Sequence, residues 1–367
     1  MAEQTRSKIR IRPRILILFL LLGIPPLIIG HVVLINGART TYTEVVANHF
    51  SESADSAQTQ LMNYLERISN EVGNLTRVSE ILEAVSASNR NRLEGTELDS
   101  QVEKREGDWL TQDPENSRLQ SGILNNEASR FVRKFNSITA DFREILVTDA
   151  LGRLVAASNK TSDYFQGDER WWQRAYQEGQ GNPFHGDIQF DESANVYGME
   201  IAYPVRDPAS NEVIGVIKAI ADAHEISALV GATRLGPNTE AVIIAADGTG
   251  ILGPERTVRY RFPEAVSLEQ PGRRFVEATE IRALPAEERQ VFLGLPQFRI
   301  RDRMAELDWI LVVQEPYEEV YSPFRNLNSW FIYFAVFGVA LVLVLALIFS
   351  RILSGPVIEA DPHLERI

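Results

Sequence analysis

The sequence predicts an α+β protein in which two small mixed modules stand in series on a long N-terminal helix, between two transmembrane helices. Three observations carry that reading. Residues 15–35 and 330–350 contain no Asp, Glu, Lys or Arg, and each is close to the ~20 apolar residues a helix needs to cross a hydrocarbon core. From 43 to about 88 there is no proline, and only Gly73 weakens a helix. Two later segments, 145–158 (ILVTDALGRLVAAS) and 242–252 (VIIAADGTGIL), repeat one pattern: an apolar strand, an Asp and Gly turn, then a second apolar run.

The first apolar stretch is longer than the core of a secretory signal and lacks a clean cleavage site after it, so it is expected to remain as an anchor. Pro25 and Pro26 would kink it, which membrane helices tolerate. Arg6, Lys8, Arg10, Arg12 and Arg14 precede it and Arg351 follows the second stretch, so the positive-inside rule puts both ends in the cytoplasm. The expected division is 1–14 cytoplasmic, 15–36 and 329–350 in the membrane, and 37–328 outside. A net charge of -13, despite that basic N-terminus, leaves the exterior part acidic and argues against a nucleic-acid partner. With no cysteine, disulfides, thiol catalysis and Cys-ligated metals are excluded.

Within the long helix, Leu61, Leu65, Ile68, Val72, Leu75 and Leu82 fall at heptad spacing. That seam serves packing against the domain, against a second copy, or both, and a homodimer is expected. Residues 89–121 read as a polar connection with a short helix around Trp109, and helix resumes over 123–137. Alternating runs at 196–205 and 212–222 predict a hairpin, 223–233 a closing helix, and Gly236-Pro237-Asn238 its break. Segment 253–288 shows little periodicity and reads as irregular. Runs at 291–300 and 309–314 predict the later strands of the second module, and 317–328 leads into the second span.

The candidate site opens at 163 (DYFQGDERWWQRAY), where Tyr164, Glu169, Arg170, Trp171, Trp172 and Tyr176 form an aromatic and charged knot before the hairpin. Adjacent helical residues point about 100° apart, so one of Trp171 and Trp172 is expected to pack inward and the other to line a pocket. Tyr197, Lys218 and Asp222 on the following strands complete the candidate set. Lys218 is read either as snorkelling at a sheet edge or as placed in a cavity, where it would favour an anion.

Tyr164, the Trp171-Trp172 pair, the Tyr-Pro-Val strand ending at Val205 and the Val-Ile-Gly-Val strand at 213–216 resemble the membrane-distal module of double Cache sensor domains, the extracytoplasmic PAS-like ligand-binding domains of bacterial receptors. The resemblance implies two Cache modules, 141–235 distal and 236–328 proximal, on an N-terminal helix and connection at 37–140, in a protein of the bacterial cytoplasmic membrane. It also implies small-molecule sensing without catalysis. In the amino-acid-binding branch of that family, an Arg near the double aromatic grips the ligand carboxylate and a strand Asp its amine. Here Glu169 falls at the Arg position with Arg170 beside it, and Ile220 falls at the Asp position with Asp222 two residues on. The ligand is therefore expected to be an amine, a polyol or a carboxylate, according to whether Glu169 or Arg170 faces the pocket. Residues 351–367 resemble the start of a HAMP linker, after which an effector domain is expected.

No motif supports another chemistry. His31, His49, His185, His224 and His363 are scattered, and no HExxH, GxSxG or Walker loop occurs. Asp187, Asp191 and Glu192 lie close together but lack the order of a calcium loop, so neither metal nor cofactor is expected. An exterior enzyme and a protein-binding scaffold are the rival readings.

Overall fold

A computed structural model describes residues 11–91, 94–110, 118–232, 239–245, 247–252, 260–262, 274–283, 286–304 and 306–352. The HAMP-like linker beyond 352, the 236–238 break and most of 253–273 lie outside the described residues. The chain divides into two compact units, Ala47–Tyr317 on one hand and Met1–Val46 with Glu318–Ile367 on the other.

The spine of the larger unit is α1 (Ile11–Leu75). Its heptad seam is used in cis: Leu61, Leu65, Ile68 and Val72 are fully buried and Leu75 nearly so. The helix does not run on to 88. It stops at Leu75, Val78 is extended, and α2 (Ser79–Asn89) restarts. No proline or glycine marks that break; the Thr76 hydroxyl instead donates to the Gly73 carbonyl at 2.7 Å, an alternative to helical pairing that short polar side chains offer. The restart changes the register, so Ile81 and Val85, rather than Leu82, carry the buried face of α2.

The connection is more helical than its composition suggests: α3 (Thr96–Leu110) and α4 (Arg118–Leu124) precede α5 (Glu127–Ile138). Trp109 anchors α3, fully buried, with its indole N–H donating to the Thr161 carbonyl at 3.0 Å. Asn126 caps α5 by accepting from the Ser129 N–H at 2.8 Å.

The first module is the antiparallel sheet of β1 (Phe142–Asp149), β2 (Leu154–Ala157), β3 (Phe184–Asp191), β4 (Val196–Arg206) and β5 (Val213–Asp222), in the order β2-β1-β5-β4-β3, with α6 (Arg170–Tyr176) between β2 and β3 and α7 (Ala223–Gly231) after β5. The second is the antiparallel sheet of β6 (Glu240–Ala245), β7 (Gly250–Leu252), β8 (Tyr260–Arg261), β9 (Phe275–Ala283), β10 (Ala286–Gly294) and β11 (Trp309–Pro316), in the order β7-β6-β11-β10-β9-β8. Each module starts with a hairpin and lays its last strand beside the first, so the weak internal repeat is a repeat of topology. Strands β8 and β9 correct the expectation of irregular chain over 253–288, and β3 is a strand that the sequence did not predict. Strand β9 (FVEATEIRA) does alternate, with Val276 and Ala278 buried, but the next inward position is the buried Glu280, so the apolar pattern is hidden inside a segment rich in Arg and Glu.

Both modules attach to α1. Ser51 donates to the Leu295 carbonyl at 2.7 Å, and Gln58 accepts from the Leu311 N–H at 3.2 Å. Farther along, Ser69 bonds both the His185 Nε2 and the Tyr203 hydroxyl at 2.7 Å. A Cβ on Gly294 would lie 2.5 Å from the Phe50 Cβ, so only glycine allows strand and helix to approach this closely.

In the smaller unit, α8 (Tyr317–Val320) leads to α9 (Ser322–Ile352). Here α1 and α9 are long and apolar enough to cross a membrane, and they expose Leu22, Ile29, Val33, Phe334 and Phe337, each more than half accessible. Such outward apolar faces belong in lipid. Pro25 and Pro26 lie inside α1 without ending it. The Tyr42 hydroxyl donates to the Val320 carbonyl at 2.6 Å, tying the outer ends of the two spans together.

Candidate functional site

The register of the first sheet places charge where single strands show only apolar runs. Leu146 pairs with Lys218, and Lys218 with Ala202; one step along, Glu144 pairs with Ile220, and Ile220 with Glu200. Side chains alternate along a strand, so Glu144, Lys218 and Glu200 stand on one face. Over that face lies α6 with Trp171. Here a cavity of about 210 Å³ is lined by Lys218, Trp171, Phe190, Gln189, Ser193 and the carboxylates of Glu144, Asp163, Glu169, Asp191, Glu192 and Glu200.

Lys218 is 6% exposed. Its ammonium lies 3.2 Å from Asp191 Oδ2 and 3.2 Å from Glu200 Oε1, and 5.2 Å from the centre of the Trp171 ring. Burial alone would lower its pKa, but Glu200 and Asp191 outweigh that and hold it above the ordinary lysine value. This is neither edge snorkelling nor a free cation awaiting an anion: its charge is already matched.

Glu144 is almost fully buried. Its Oε1 accepts from Asn159 Nδ2 at 3.0 Å and Ser193 Oγ at 2.8 Å. Burial pushes its carboxyl up to about 7 and the Asp191 charge adds to that, against the opposing Ser193 hydrogen bond and Lys218 charge. Glu169 is raised as well, by partial burial first and then by the neighbouring Asp163. In both cases burial is the larger cause and the neighbouring carboxylates add to it.

Of the predicted site residues, Glu169, Trp171 and Lys218 line this cavity. The Tyr164 hydroxyl, fully buried, accepts from Arg105 at 2.7 Å, and its N–H donates to Glu106. Trp172 stacks on Tyr176, with centroids 4.6 Å apart, and donates to Thr148 Oγ1 at 2.9 Å. Arg170 is exposed, over the Phe184 ring. Tyr197 is exposed with its ring edge-on to Phe190. Asp222 caps α7 through the His224 N–H and accepts from Arg143 Nε at 2.6 Å. None of these five is part of the lining.

Glu144 and Glu200 escaped the sequence reading because each sits in an apolar-looking strand, and only cross-strand register reveals what they face. Asp191 was weighed only as a calcium ligand; its carboxylate is spent on Lys218, and Asp187 accepts from the Trp309 indole at 2.9 Å. Among the described residues no cluster of His, Cys, Asp or Glu could hold a metal. A larger groove of about 730 Å³ runs past Arg77, Tyr203 and Arg206, but the Arg206 guanidinium is taken up by the Gln180, Gly181 and Asn211 carbonyls, so the groove lacks the concentrated charge of the smaller cavity.

Strand β3 also reaches the second module. At its start the His185 N–H donates to Glu306 at 2.8 Å and Asp187 meets Trp309; at its end Asp191 holds Lys218.

Among known proteins, the family model described as Cache domain, of the dCache_1 type, matches residues 38–324. A search of curated proteins returns no match. Similar solved structures include the ligand-binding domain of the Pseudomonas aeruginosa amino acid chemoreceptor PctB with L-Arg, at 14% identity and TM-score 0.49 over 77% of this chain and 93% of that one. The ligand-binding domain of the Pseudomonas fluorescens chemoreceptor CtaA with L-isoleucine follows at 12% identity and TM-score 0.47, over 78% and 98%. The sensor domain of the V. cholerae histidine kinase DctB has 13% identity and TM-score 0.45, over 74% and 98%.

Proposed function

The chain belongs to the Cache domain family of extracytoplasmic small-molecule sensors in bacterial membrane receptors, and we propose that the molecule it recognises is a small cationic amine bound in the cavity under Trp171. One observation carries this reading: the Lys218 ammonium is matched by Asp191 and Glu200, which leaves Glu144, Asp163, Glu169 and Glu192 in the lining without a cation of their own among the described residues. An incoming ammonium relieves that repulsion, whereas a carboxylate adds to it. Arg170, the residue able to reverse this preference, lies outside the lining.

Occupancy has a route to the second module through β3, whose ends touch the cavity and the Glu306–Trp309 loop. A ligand that draws Asp191 or its neighbours inward favours one arrangement of that contact, which is how differential affinity shifts a two-state equilibrium.

The test is calorimetric titration of the full chain in lipid nanodiscs with n-butylamine, L-leucine, succinate and glycerol. We expect the amine to bind and its affinity to fall as pH is lowered from 8 to 6. Glu144 titrates near 7, so below that value the ammonium must displace a proton, and affinity drops by up to about tenfold per pH unit. Glu169→Gln should weaken the amine, while Arg170→Gln leaves it unchanged. A succinate or L-leucine signal abolished by Arg170→Gln would instead establish a carboxylate clamp.

A further inference from the structure

We infer that the ligand carries, besides its ammonium, a neutral acceptor oxygen such as a hydroxyl or an amide carbonyl, because two residues of the cavity wall each hold a buried polar atom that is unmatched among the described residues, one an acceptor and one a donor. This rests on the amine reading and narrows it.

The acceptor is Glu144 Oε2. Glu144 is 1% exposed; its Oε1 is saturated by Asn159 and Ser193, and Oε2 has no partner among the described residues. The donor is Trp171 Nε1, on a side chain also 1% exposed and likewise without a partner there. The other buried tryptophans place this group with care: Trp109 on the Thr161 carbonyl, Trp172 on Thr148 Oγ1, Trp309 on Asp187. Of the described residues that line the cavity, Glu144 and Trp171 carry such an unmatched atom. A buried polar group without a partner is costly, and indole N–H is a donor only, while a carboxylate is an acceptor only. The two needs are opposite: Glu144 Oε2 calls for a donor and Trp171 Nε1 for an acceptor.

Chemistry then sorts the candidates. A plain alkylamine meets Glu144 but leaves the indole N–H unmatched. A carboxylate meets the indole but enters among Glu144, Asp163, Glu169 and Glu192. A polyol meets both atoms and leaves the negative charge of the cavity uncompensated. An amine with a neutral oxygen satisfies all three conditions, and a cavity of about 210 Å³ keeps that molecule small.

The experiment is calorimetry on the full chain in nanodiscs with 3-amino-1-propanol and n-butylamine, which match in charge and heavy-atom number and differ only in a hydroxyl replacing a methyl. Wild type should bind the amino alcohol at least about fivefold tighter, the worth of one net hydrogen bond. Trp171→Phe, which keeps a ring but removes the N–H, should bring the two affinities together. Glu144→Gln should weaken both by about tenfold or more: Asn159 and Ser193 are donors, so they hold the amide oxygen and turn its NH2 toward the ammonium. The wild-type pair decides the matter even if a variant folds poorly. Equal binding of the two by wild type, or a preference that survives Trp171→Phe, overturns this inference alone. Failure of both amines to bind wild type overturns the amine reading, and this inference with it.

Discussion

Lys218→Met is expected to destabilise the exterior unit by about 3–5 kcal/mol at pH 7, the range for removing one partner of a buried ion pair. Methionine fills nearly the same volume, so packing is little changed; what is lost is the ammonium 3.2 Å from both Asp191 and Glu200. The loss should shrink at pH 5. Glu144 already titrates near 7, with Lys218 among the charges that hold it down, and without the ammonium it accepts a proton more readily, neutralising part of the excess charge. Urea unfolding of both proteins at pH 5 and 7 checks this, and adding Glu200→Gln to Lys218→Met should recover part of the stability. A loss below about 1 kcal/mol at both pH values would mean that Lys218 is solvated, and would remove the basis for treating its charge as spent.

Ile68→Asp should cost more than the roughly 2–5 kcal/mol of Ile68→Ala, because a carboxylate in an apolar seam adds desolvation to lost packing. Ile68 is fully buried within one copy of the chain, so the fall in melting temperature should be the same at every protein concentration. A melting temperature that instead varies with concentration, or a change confined to oligomer size, would assign the seam to contact between copies. The homodimer expected from the heptad pattern is thus separable from the packing that occupies the seam.

Much of the fold was legible along the chain. The membrane spans, the seam from Leu61 to Leu75, the paired Asp and Gly hairpins at 149–152 and 247–250, and the strands at 196–222 all follow from local period and turn chemistry. What went unread has specific causes. The stop at Leu75 carries no glycine or proline at the break. Strand β3 reads FHGDIQFD, too polar for a core strand, because it is an edge strand that spends its charges on Lys218 and Trp309. The aromatic knot was recognised as a unit, yet its members divide: Trp171 lines the cavity, while Tyr164 and Trp172 hold α3 and the sheet in place.

By itself, then, the sequence determined much that depends on neighbours within a few turns or one strand: the two apolar spans, the long helix as far as Leu75 and the repeated module, and it pointed to a candidate site after β2. Tertiary structure alone decided the electrostatics of that site. Glu144, Glu200 and Lys218 belong to three different strands, and a shift of one residue in any pairing would turn its side chain to the opposite face. Register is set by the closure of the whole sheet around Leu146, Ala202 and Val216 and by the α6 cover of Trp171. The lysine therefore meets two carboxylates, Asp191 and Glu200, and the other charged residues described in the lining are acidic.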